Sequence, residues 1–279
     1  VTISDEVSTS RFITRDARRE DHPAFVGFWA ELGLDLAAPD VAWWDEHLRP
    51  RTMFLEEDGK LVGYALTFAF GDRGDVRQIA VDPSARGKGV GKALMAAVAA
   101  RFREEGVKDW RLEVRDNNAP AVALYRSVGM AVTAELVSLR MTAEQARAFA
   151  ATRSGGLRVE TVHPADDAAI EARWDLGRGQ VARWRKARGP NARLMRIADR
   201  ALAQYTPDFA SEWGLVFPLY AIDRGHAAAI FGAVTEMELP PIIEMQMREG
   251  VAAQALIRAG AKVFERLYEM SGFLDMLAP

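Results

Sequence analysis

The run QIAVDPSARGKGVGKALMAAVAARF, Gln78 to Phe102, constrains this chain more than any other segment. It begins with β-forming residues, passes through a basic, glycine-rich turn, and continues as a helix with Leu94, Val98 and Phe102 on one face. Gly87, Gly89 and Gly91 let the backbone approach a ligand, and the free amides and positive dipole end of the helix favour an anion there. Arg86, Lys88 and Lys92 add positive charge. Two other phosphate loops fail on inspection. Arg86 stands where the Walker pattern needs its first glycine, and Ala93 where it needs Ser or Thr. The dinucleotide fingerprint fails in glycine spacing and lacks a preceding βαβ unit. A nucleoside triphosphatase and a nicotinamide enzyme are thereby disfavoured.

Around this run the pattern predicts an α+β domain. RFITR (Arg11 to Arg15) reads as a strand, and Asp21 to Leu32 as a helix with Pro23 near its start. Two β-type runs flank Asp58-Gly59, which predicts a tight hairpin over Met53 to Phe70. Val76 to Asp82 is strand-like, Gly106 ends the helix that starts near Gly91, and Trp110 to Val114 is again strand-like. A short helix over Pro120 to Ser127 and a strand from Met130 close the unit near residue 140.

A second motif then makes a resemblance specific. Arg86-Gly87-Lys88-Gly89-Val90-Gly91 is similar to the R-x-x-G-x-G pyrophosphate loop of the GNAT (GCN5-related N-acetyltransferase) superfamily. Its later Asn-x-x-Ala-x-x-Leu-Tyr run followed by Gly-Phe is matched by Asn118, Ala121, Leu124, Tyr125 and Gly129-Met130, with Met replacing Phe. The resemblance covers roughly residues 11 to 140. It implies the acyl-CoA N-acyltransferase fold and acetyl-CoA as cosubstrate. The strand Ile79, Ala80, Val81 would splay from its neighbour and pair with the pantetheine arm. The loop from Arg86 to Lys92 would hold the pyrophosphate, with Asn118 and Ala121 contributing from the next helix. Tyr125 falls where relatives assist the leaving sulfur, either by proton donation or by hydrogen bonding, while packing beneath the cofactor is its plainer role. A neutral amine would attack the thioester directly, without a covalent enzyme intermediate. Asp75, Gln78 through a water, and Glu113 are the polar candidates for general base, and none stands out. Trp43, Trp44, Asp45 and Glu46 could cover a cationic acceptor, although helix packing explains them as well.

With 279 residues, two domains are expected. The boundary falls at about 141 to 156, where TAEQARAFAATRSGG ends in a Ser-Gly-Gly tract. The second half, 157 to 279, reads as a worn copy of the first. Trp29 and Trp174 stand 145 positions apart in similar contexts, and LYRSVGM (Leu124 to Met130) parallels LYEMSGF (Leu267 to Phe273) at 143. In this copy Asp223-Arg224-Gly225-His226 would match Asp82 and Arg86-Gly87-Lys88, with Pro83-Ser84-Ala85 deleted. Ala227 and Ala229 replace Gly89 and Gly91, so the added methyl groups should spoil the cradle, and Tyr268 would repeat Tyr125. No cofactor binding is expected in that half, which would be structural or complete the acceptor pocket.

The remaining sequence mostly excludes. A net charge of -3 disfavours nucleic acid and anionic membrane as partners, and nine Lys or Arg between Glu171 and Arg200 read as a solvated helix face. There are no cysteines, hence no thiolate chemistry, and His163 and His226 lack metal-ligand spacing, so no metal is expected. MELPPIIEMQM reads as core and strand that could border an acceptor cleft. No signal-like block or apolar span is present, and the expected location is cytoplasmic. The expected function is an acetyl-CoA-dependent N-acetyltransferase acting on an amine, on a small molecule rather than a protein. The alternative is a non-catalytic acyl-CoA sensor or interaction module.

Overall fold

The computed structural model of the chain describes residues 11–153, 155–210 and 212–276. The first half runs β1 (Ile13–Asp16), α1 (His22–Ala30), α2 (Val41–His47), β2 (Thr52–Glu57), β3 (Lys60–Phe70), β4 (Arg73–Val81), α3 (Val90–Glu104), β5 (Asp109–Arg115), α4 (Ala119–Ser127) and β6 (Ala131–Thr142). After α5 (Ala143–Ala150), the same order repeats. It comprises β7 (Glu160–Thr161), α6 (Asp167–Arg173), α7 (Gln180–Ala187), β8 (Arg193–Ile197), β9 (Ala201–Ala210), β10 (Trp213–Ala221), α8 (Arg224–Thr235), β11 (Ile242–Arg248), α9 (Val251–Arg258) and β12 (Lys262–Phe273). The β2–β3 hairpin turns at Asp58 and Gly59 with φ of 50° and 73°, the left-handed pair that such a two-residue turn requires. The 141–156 segment comprises the end of β6, α5 and the residues that follow.

Among the described residues the twelve strands form one sheet in the order β1-β2-β3-β4-β5-β12-β6-β11-β10-β9-β8-β7. The order reads the same from either end once the halves are exchanged, and its centre is an exchange of final strands. β12, last in the chain, lies antiparallel between β5 and β6, while β6 pairs with β11 of the second half. The register runs from Lys262↔Arg140 to Ser271↔Ala131 on one side of β12, and from Leu267↔Arg115 to Phe273↔Asp109 on the other.

Alternation along the strands supplies both faces of the sheet. Met53 and Leu55 of β2 and Ala65 of β3 meet Leu94, Val98 and Phe102 of α3 on one face. Phe54 and Tyr64, between them in sequence, meet Phe25, Phe28 and Trp44 of α1 and α2 on the other. Tyr64 centres that aromatic cluster, 5.6 Å from both Phe25 and Phe28 and 6.0 Å from Phe54 between ring centroids. In the second half α5, α8 and α9 share one cluster, and α6 and α7 another. The Arg183 guanidinium of α7 lies 3.6 Å from the Phe68 ring centre, so α7 reaches across the sheet onto the α1–α2 face of the first half.

The parallel between Leu124–Met130 and Leu267–Phe273 does not survive. The first segment ends a helix and its turn, the second lies inside β12, and Tyr268 pairs with Val114 and Glu135 in the sheet. The element that occupies the place of α4 is α9, and the strand that answers β6 is the whole of β12. Tyr268 therefore has no position equivalent to Tyr125.

Because β12 is sheet core to both halves, separate melting would require breaking its pairing with β5 or β6. Calorimetric unfolding is expected to give one cooperative transition, with first-half Trp110 and second-half Trp184 environments lost together. Two resolved transitions would contradict this interlocking.

Candidate functional site

β4 and β5 pair in parallel only from Arg73↔Asp109 to Val76↔Leu112, although β4 continues to Val81 and β5 to Arg115. The divergence begins at a bulge. Leu66 pairs with Gln78 and Thr67 with Val76, which leaves Arg77 as the extra residue on β4. Beyond it, Ile79, Ala80 and Val81 remain paired with β3 but not with β5, so one backbone edge of β4 faces a gap. Unpaired strand edges offer alternating amides and carbonyls to an extended ligand.

The gap leads to the glycine-rich loop. Gly87 and Gly89 have φ of 74° and 88°, a region open to glycine and costly for other residues, and no atom lies within 4 Å of where a Cβ on either would stand. Gly89 is the N-cap of α3, and Ala93 N–H is the first helical amide to bond back into the loop, to Gly89 O at 3.0 Å. Val90, Gly91 and Lys92 are thus first-turn residues whose amides have no helical acceptor, at the positive end of a fifteen-residue helix. Two of these residues also have contacts within the fold. A Cβ on Gly91 would meet Leu124 Cδ2 at 2.9 Å, so glycine there lets α3 approach α4. Arg86 pairs with Glu31 at 2.6 Å and donates to Val81 O at 3.2 Å, which fixes the loop. Lys88 and Lys92 are exposed.

On α4, Asn118 caps the helix by accepting from Ala121 N–H at 3.3 Å. Tyr125, one turn further, is 8% exposed within the α3 core cluster, and burial pushes its phenol up to about 12. The strand divergence, the open amides and Tyr125 are brought together by β4, α3 and α4, which the two sequence motifs share.

The general-base candidates separate. Gln78 Oε1 accepts from Tyr64 O–H at 2.8 Å. Asp75 faces Arg77 at 3.6 Å. Glu113 lines a cleft at the centre of the sheet, where it keeps contact with solvent and accepts from Gln246 Nε2 at 2.8 Å; protein packed around the cleft pushes its carboxyl up, and Arg77 draws it down. Asp75, Arg77, Arg111, Gln180, Trp184 and Tyr220 are among the other cleft residues, joined by Gln246, Arg248 and Glu269. Sequence reasoning missed most of them. The signal available was the alternation in RLEVR and EMQMR, which puts Arg111 and Glu113, and Gln246 and Arg248, on one face of β5 and β11. Trp43, Trp44, Asp45 and Glu46 are not among the cleft residues: Trp44 is core, Trp43 lies edge-on to His47, and Asp45 pairs with Arg49.

The second half differs at the matching place. β10 and β11 also part after Val216↔Met245, but only residues 222 and 223 separate β10 from α8, against residues 82–89 between β4 and α3. Arg224, Gly225 and His226 are the first turn of α8, not a loop matching Arg86 to Lys88. Asp223 caps that turn, its Oδ1 accepting from His226 N at 2.9 Å, so a carboxylate already occupies the helix start. Ala227 and Ala229 are buried in the core rather than projecting into a cradle, which corrects the steric reason expected for them. Among the described residues no group of three or more His, Cys, Asp or Glu could hold a metal, and no helix is long and apolar enough to cross a membrane. The basic run is largely engaged: Arg173 bonds Asp199 O, Arg185 pairs with Asp167, and Arg196 with Asp166.

Residues 14–130 match the acetyltransferase (GNAT) family. Over 113 residues the chain is 37% identical to mycothiol acetyltransferase of Thermomonospora curvata, a match covering 39% of this chain and 35% of that protein. Over 75 residues it is 39% identical to the ribosomal protein bS18-alanine N-acetyltransferase of Escherichia coli, covering 27% of this chain and 51% of that one. The matches thus span about a third to a half of these relatives' lengths. A GCN5-related N-acetyltransferase from Sphaerobacter thermophilus shares the fold across 95% of this chain and 96% of its own, with a TM-score of 0.62 at 16% identity. The motif-bearing loop and the diverging strands both lie within residues 14–130, the part of the chain that matches the GNAT family.

Proposed function

We propose that the chain is an N-acetyltransferase that moves an acetyl group from acetyl-CoA to a primary amine. One observation carries this reading: the β4–β5 divergence opens directly onto the uncapped first turn of α3. An extended thioester arm fits the β4 edge at Ile79, Ala80 and Val81. Its pyrophosphate fits the amides from Gly87 to Lys92, where nothing stands beside Gly87 and Gly89, with Lys88 and Lys92 adding charge. The relatives named mycothiol acetyltransferase and ribosomal protein bS18-alanine N-acetyltransferase differ in the acceptor they are named for, so those names support acetyl transfer and leave the acceptor to this chain's own cleft.

The acceptor reaches the thioester from the central cleft, into which both halves project side chains. Such a cleft suits a small molecule better than a folded protein. The amine nitrogen attacks the carbonyl carbon, the carbon–sulfur bond breaks, and the thiolate leaves. Glu113 takes the proton the amine must lose; its raised carboxyl is a stronger base than an ordinary one, and Gln246 orients it. Tyr125 donates a hydrogen bond to the departing sulfur. Complete proton transfer from a phenol near 12 to a thiolate of ordinary pKa near 8.5 would cost roughly 5 kcal/mol, so the hydrogen bond is the economical role. The second half is proposed to shape the acceptor cleft and to bind no cofactor itself, because Asp223 caps α8.

Calorimetric titration of acetyl-CoA is expected to show one equivalent per chain, lost in Gly89→Trp with the circular dichroism spectrum preserved. Binding of two equivalents, or of none, contradicts the assignment. Tyr125→Phe should lower kcat about 10- to 100-fold with little change in the KM for acetyl-CoA; unchanged kcat would return Tyr125 to packing. Glu113→Gln should lower kcat by about 10²-fold and remove the acidic limb of the pH–rate profile. The same variant has a stability signature. A carboxyl whose folded pKa lies above its unfolded value of 4.5 stabilises the fold below that value and loses this contribution as pH rises through the folded pKa. The melting temperature of Glu113→Gln relative to wild type should therefore rise between pH 4 and pH 8; a fall would contradict the raised carboxyl.

A further inference from the structure

The charges of the central cleft do not cancel in pairs. Six charged residues line it: Asp75, Glu113 and Glu269 against Arg77, Arg111 and Arg248. Arg77 faces Asp75 at 3.6 Å, and Arg248 bonds Glu269 at 2.9 Å. Glu113 and Arg111 are left, and each is held by a neutral amide. Gln246 Nε2 donates to Glu113 at 2.8 Å, and Arg111 donates to Gln180 Oε1 at 3.0 Å. Among the described residues neither has an oppositely charged group within ion-pairing distance. Asp109 and Asp175 are both engaged by Arg73.

This arrangement is built. Gln180 is 7% exposed, and its Oε1 also accepts from Gly177 N–H at 3.0 Å, so the amide that steers Arg111 is itself fixed at the start of α7. Arg111 and Glu113 stand two residues apart on the same face of β5, about 7 Å along the strand. A guanidinium with most of its donors free and a carboxylate with a free oxygen, at that spacing, match a molecule whose cationic and anionic groups are separated by a few bonds. A neutral acceptor would leave Arg111 desolvated without compensation, and specificity of this kind comes from the unpaired partner.

We propose that the acceptor is a small zwitterion, with a carboxylate or phosphate a few bonds from its reacting amine, and that Arg111 binds that anion while Glu113 receives the amine. The proposal rests on the reading of the central cleft as the acceptor site. Thiol release from acetyl-CoA should be measured over matched series: short amino acids, their methyl esters, and the corresponding aminoalkylphosphonates. In wild type kcat/KM for the anionic member is expected to exceed that of its ester about 10- to 100-fold. In Arg111→Met this ratio should fall toward one, and Arg111→Lys should retain part of it; a merely structural loss would lower both members alike and keep the ratio. Preference for the carboxylate over the phosphonate series, or the reverse, identifies the anion. Equal use of acids and esters by wild type, or an unaltered ratio in Arg111→Met, overturns the proposal while leaving acetyl transfer intact. Absence of thiol release from every amine, with acetyl-CoA bound, overturns the transferase reading and this proposal with it.

Discussion

The antiparallel pairing of β6 with β12 is the contact on which the rest depends. It joins two five-strand edges that would otherwise face solvent as unpaired backbone, and it does so by an exchange in which each half supplies the strand beside the other's β5 or β11. Since β4 parts from β5, and β10 from β11, on the two sides of this pair, the openings of both halves converge on the middle of the sheet. A cleft lined from both halves follows from topology, before any particular side chain is considered.

What differs between the halves is then local chemistry. In the first, left-handed glycines leave the start of α3 open; in the second, a shorter connection and the Asp223 cap close the start of α8. A carboxylate and a pyrophosphate compete for the same amides and repel one another, so an internal cap and an anion site exclude each other at a helix end. The cleft shows the same economy: four of its charges neutralise one another, and the remaining two are presented by glutamine amides.

The parts of this account legible in the sequence are those that local rules determine. The loop from Arg86 to Lys92 declares itself because left-handed glycines at a strand-to-helix turn have few other uses, and the Asn118 to Tyr125 run because a cap and its helix lie within a few residues of each other. Where long-range pairing decides, the sequence misleads. Leu267-Tyr268 resembles Leu124-Tyr125 in letters, yet one pair belongs to a strand between two others and the other to a helix. Gly91 reads in the sequence as a loop glycine alone, yet a Cβ there would also meet Leu124, which lies thirty-three positions away. Arg111, Gln180 and Gln246 come from three separate stretches of chain, and only the exchange of strands makes them neighbours.

The most direct test of the central claim is a crystal structure of the chain grown with coenzyme A. The account predicts one molecule per chain, its pyrophosphate on the amides between Gly87 and Lys92, its pantetheine arm along Ile79 to Val81, and its sulfur beside Tyr125 and open to the cleft that holds Glu113. A pyrophosphate at the start of α8, or a sulfur directed away from the central cleft, would contradict it.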